Sequence, residues 1–137
     1  MRRGLIVVGL LSPLIAGKAG AADQAVSVFY SDFCYHEESG DVLGIRIGIL
    51  NLSDATYVFY QEAEGAPGVP QLFKLKLGAM AGPKFTLRVD ENRVLQGTVT
   101  DSAIDAHFNG GYVSSRGEKN LHLERVSDVR KGFRDCK

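Results

Sequence analysis

The sequence predicts an all-β protein: a small antiparallel meander barrel of about eight strands with a short C-terminal helical tail. A two-sheet β-sandwich is the other arrangement open to the same strands. Three observations lead there. Apolar and polar residues alternate at period two over most of the chain, turn formers interrupt them about every 8–12 residues, and two cysteines, Cys34 and Cys136, flank the alternating region.

The first 22 residues stand apart. Arg2 and Arg3 precede an apolar run from Leu5 to Ala16, and small residues lead to Ala22. A basic start, an apolar stretch well short of the roughly 20 residues that span a bilayer, and small residues before a cut are the parts of a signal peptide. The expected organisation is a cleavable segment 1–22 and a single β domain over 23–137, with the tail 127–137 tied back by a disulfide. No later apolar run reaches membrane length, so the mature chain is expected to carry no transmembrane segment and to reside in the periplasm or outside the cell.

Removing Arg2, Arg3 and Lys18 from 16 basic residues leaves 13 against 16 acidic ones. That balance is unlike the strongly basic surface of a nucleic-acid binder, so no nucleic-acid partner is expected. About 115 residues suffice for one domain with a core and are too few for two. In an oxidising compartment an even cysteine count reads as a disulfide, here between Cys34 and Cys136.

Strands are expected near 26–36, 42–50, 55–62, 71–77, 84–90, 93–100, 103–109 and 119–126. In the second, Ile45, Ile47 and Ile49 alternate with Gly44, Arg46 and Gly48. Phe73, Leu75 and Leu77 alternate with lysines, Phe85, Leu87 and Val89 with Thr86 and Arg88, and Ile104, Ala106 and Phe108 with Asp105 and His107. Such alternation marks one buried face and one wet face. Short loops between the runs favour up-and-down order, because consecutive strands usually pair. In the tail, Val129, Phe133 and Cys136 recur at helical spacing, although Gly132 weakens that helix.

Chemistry-bearing residues are sparse. His107 and His122 fall on outward positions of the last two strands. A connection centred near residues 114–115 sets them face to face with Asp105 opposite Glu124, whereas a tight turn at Arg116-Gly117 sets His107 against Val126. Without a third or fourth ligand of the kind zinc requires, they are weak metal candidates and the expected metal and cofactor content is none. No Gly-x-Ser-x-Gly motif or phosphate-cradling glycine loop is present, both cysteines are expected in the disulfide, and no catalytic residue is assigned.

The remaining signal is a binding surface. Glu62 and Glu64 open the longest loop, which Pro67 and Pro70 stiffen, and Tyr57, Phe59 and Tyr60 precede it. Lys74, Lys76, Lys84 and Arg88 add outward positive charges on two consecutive strands, where like charges cost stability unless a partner or protection of the sheet from aggregation explains them. The sequence thus reads as an exported, non-catalytic binding protein whose partner is an envelope component, a small apolar ligand or another protein. A small metal-dependent hydrolase built on His107 and His122, and a structural or oligomeric envelope protein, are the alternatives.

Overall fold

The structure is a computed structural model that describes residues 26–52, 55–75, 80–81, 83–127 and 133–136. The expected signal segment 1–22 lies outside them, as do Lys76, Leu77 and Val129.

Eleven strands are present among the described residues: β1 (Val26–Ser31), β2 (Cys34–His36), β3 (Asp41–Asn51), β4 (Thr56–Gly65), β5 (Gln71–Lys74), β6 (Met80–Ala81), β7 (Lys84–Arg88), β8 (Val94–Val99), β9 (Ala103–Phe108), β10 (Asn120–Val126) and β11 (Arg134–Asp135). They form one sheet, antiparallel except at β11, that curls into a half-barrel. Neighbours in sequence pair as β3–β4, β4–β5, β7–β8, β8–β9 and β9–β10, and β1 lies between β3 and β10. β1 and β2 form one run against β3, interrupted at Asp32 and Phe33. No pair joins β5 to β7 among the described residues.

The period-two pattern places the core as expected. Ile45, Ile47, Leu95, Ile104 and Leu123 are sealed from solvent and pack with Phe85, Leu87, Leu121 and Phe108 inside the curl. The space between Ile47, Ile49, Val58, Phe85, Val99 and Ile104 is about 10 Å³, at the lower limit for one water. A second, smaller cluster of Phe33, Val42 and Ala63 lies on the outer face.

The C-terminal end departs from the expected helix. The only helical turn described is the 3-10 turn Asn109–Gly111, and the end of the chain runs as β11, parallel to β2. A backbone alongside an unpaired strand edge gains partners that a very short helix does not supply. Cys136 N donates to Tyr35 O at 2.9 Å, Phe133 packs edge-on against Phe33, and Cys136 is bonded to Cys34 across 102 residues of sequence.

Candidate functional site

Because neighbouring strands run antiparallel, the ends of β2, β4, β7 and β9 and the starts of β3, β5, β8 and β10 meet at one rim of the half-barrel. The connections 66–70 and 89–93 belong to this rim, and between them opens a cleft of about 480 Å³ lined by Tyr60, Glu62, Glu64, Ala66, Gly68, Val69, Gln71 and Arg93.

Alternation along β4 sends Tyr60 and Glu62 inward and the intervening residues outward. Tyr60 Oη donates to Glu62 Oε2 at 3.0 Å, and the same oxygen accepts Arg93 Nη1 at 2.7 Å. Arg93 Nε donates to Asp90 Oδ2 at 2.7 Å, while Asp90 Oδ1 accepts the backbone N–H groups of Asn92 and Arg93. The guanidinium also lies over the Phe108 ring. One arginine thus joins β4 to the β7–β8 turn, 31 residues away in sequence. Burial raises the Tyr60 pKa, and the Glu62 carboxylate beside it raises it further, so the phenol stays a donor. Burial alone would lower the Arg93 pKa, but its hydrogen bonds to Asp90 and Glu62 outweigh that and raise it.

The loop above the cleft is fixed from behind. Gly68 N donates to Glu62 O at 2.8 Å, Gln61 Nε2 donates to Gly68 O at 2.9 Å, and Pro67 bridges to Ala63. A side chain at Gly68 would place its Cβ 2.8 Å from Glu62 O, so only glycine permits this approach. Val69 projects from the loop with 87% of its surface exposed.

The predicted contact residues separate accordingly. Tyr60, Glu62 and Glu64 come together at the cleft. Tyr57 and Phe59 turn to the outer face, where Phe59 meets Phe29 edge-on over Gly48. Lys74 on β5 lies 5.7 Å from the Tyr57 ring. Lys84 and Arg88 sit on β7, which pairs with β6 and β8 and not with β5; Arg88 Nη1 donates to Glu91 O.

The last hairpin takes neither expected register. His107 is opposite Asn120, and His122 is opposite Asp105, whose Oδ1 lies 2.6 Å from His122 Nδ1. The 3-10 turn at Asn109–Gly111 and the turn that Gly117 N closes onto Ser114 O use up the connection and shift the pairing by two residues. The pair sits on the open outer face, more than 60% exposed. No group of three His, Cys, Asp or Glu ligands forms among the described residues.

Comparison with protein families, curated proteins and solved structures finds no match. The site therefore has to be read from its own chemistry.

Sequence reasoning missed Arg93 and Asp90, whose Asp-x-x-Arg spacing signals a turn and not its distant partner Glu62. It also missed Asp32, 1% exposed within an apparently regular strand. Asp32 Oδ1 accepts Ile45 N at 2.6 Å, and Oδ2 faces Arg116 Nη1 at 3.5 Å. Next to it, Gly44 at φ +117° donates its N–H to Ser115 Oγ at 2.9 Å, tying the 112–118 loop across the rim.

Proposed function

We propose that the chain is an exported, non-catalytic binding protein that grips a partner protein at the rim formed by the end of β4, the 66–70 loop and the 89–93 turn. The observation that carries this reading is an open rim cleft of about 480 Å³ in which Tyr60, Glu62 and Arg93 are already held by hydrogen bonds to one another and to Asp90. A rim with its side chains fixed beforehand loses little entropy on contact. Only about 10 Å³ is open between Ile47, Ile49, Val58, Phe85, Val99 and Ile104, which favours the rim over that part of the interior as a ligand site.

Export is supported by the signal-peptide pattern of 1–22, by the Cys34–Cys136 disulfide, and by compatibility with the described helices, none of which is long and apolar enough to cross a membrane. The half-barrel is further read as a meander barrel whose seam falls between the edge strands β5 and β6. The partner is basic at its contact surface. Glu37, Glu38, Asp41, Glu64 and Glu91 stand at the rim and outnumber Arg88 and Lys119 there, while Arg93 and Arg116 are already paired with acids of this chain. Complementary charge sets specificity and the rate of encounter.

The test is co-purification of the mature protein from its exporting host in three forms: wild type, Glu64→Lys at the rim and Lys84→Glu on β7. A companion protein retained by wild type and Lys84→Glu but lost with Glu64→Lys supports the rim. Retention by Glu64→Lys with loss from Lys84→Glu moves the contact to the outer face.

A further inference from the structure

We propose that the 66–70 loop is an inhibitory loop that inserts Val69 into the small apolar primary pocket of an elastase-type serine protease. The inference rests on the rim reading and names the class of partner.

Val69 is the most exposed large apolar side chain described, at 87%. Its backbone is pre-set: a residue preceding proline is held extended, residues 68–70 form no turn, and Gly68 is anchored to β4 through both its N–H and its carbonyl. An extended segment with one side chain projecting from a fixed support is the form in which a peptide enters a protease cleft, and binding it costs little ordering entropy. The side chain sets the choice of enzyme. The primary pocket is deep and acidic in trypsin-type enzymes and small and apolar in elastase-type enzymes, and valine matches the latter. Glu64 and Gln71 flank the loop in the same cleft and suit a basic, hydrogen-bonding pocket rim. Docking is non-covalent, with no bond made or broken.

The test uses the mature, disulfide-bonded protein in chromogenic assays against an elastase-type and a trypsin-type protease. Wild type inhibits the elastase-type enzyme competitively and spares the trypsin-type one. Val69→Asp weakens inhibition by at least about 30-fold, the loss typical of a central contact residue, and Val69→Arg transfers inhibition to the trypsin-type enzyme, whose pocket aspartate it meets. Because Val69 is exposed, both variants keep the wild-type thermal midpoint, which verifies folding.

The inference is overturned if wild type leaves the elastase-type enzyme uninhibited and Val69→Arg leaves the trypsin-type enzyme uninhibited, or if Val69→Asp inhibits as well as wild type. If inhibition fails while Glu64→Lys still releases a co-purifying companion, the loop inference falls and the rim reading stands. If both fail, the rim reading falls with it.

Discussion

Asp32 is the residue at which burial and charge conflict most sharply. Burial raises its pKa above the ordinary 3.8, against the opposing pull of the Ile45 N–H and Arg116. A carboxyl that binds its proton more tightly when folded contributes stability below pH 3.8, and that contribution is lost as pH rises through the raised value. Asp90 acts in the opposite sense: its hydrogen bond from Arg93 lowers its pKa, so its contribution is present above 3.8 and fades as pH falls through the lowered value. Asp32→Asn keeps an acceptor for Ile45 N and removes the first titration. The thermal midpoint of this variant is expected to fall less than that of wild type as pH rises from about 4, the ordinary carboxylate range. A variant that keeps the wild-type slope contradicts this account of Asp32. None of it was legible in the sequence, because an aspartate inside a strand pattern looks like any other wet-face residue until Arg116, 84 positions away, is seen beside it.

Among the elements, the strands and the pairing of consecutive strands were legible, and the register of the last hairpin and the links between distant elements were not. Ile45, Ile47, Phe85, Leu87, Ile104 and Phe108 alternate with polar neighbours, and every one of them is buried, because period two maps directly onto the two faces of a strand. The same rule places Tyr60 inside and Phe59 outside, which separates aromatic residues that look like one group along the chain. What joins β4 to the β7–β8 turn is the Arg93–Glu62 pair, and contacts at that separation leave no local trace. Arg93→Ala leaves a largely buried Glu62 without its charged donor and is expected to cost about 1–3 kcal/mol in urea unfolding. No loss of stability would mean the pair only decorates the rim. The tail failed as a helix for a related reason: its fate depends on the edge of β2, which the tail's own residues do not reveal.

At the level of the whole molecule, the two ends of the described chain are held by β1, which pairs with both β3 and β10, and by the disulfide that pins β11 beside β2. The bond closes a loop of about 100 residues and restricts the unfolded chain more than the folded one. Cys136→Ser should therefore lower unfolding free energy by about 2–5 kcal/mol. Amide exchange is expected to speed up at residues 134–136 while the β9–β10 amides stay protected in native conditions, since their pairing does not involve the tail. Loss of protection throughout would instead make the disulfide a condition for folding at all.

The central claim is that this fold presents its rim to a partner. The most direct test is amide hydrogen exchange of the mature protein with and without the companion it co-purifies with. The account predicts new protection at residues 61–71 and 90–93, with the outer face of β9 and β10 around His107 and His122 unchanged. Protection confined to that outer face, with the rim exchanging freely, would contradict it.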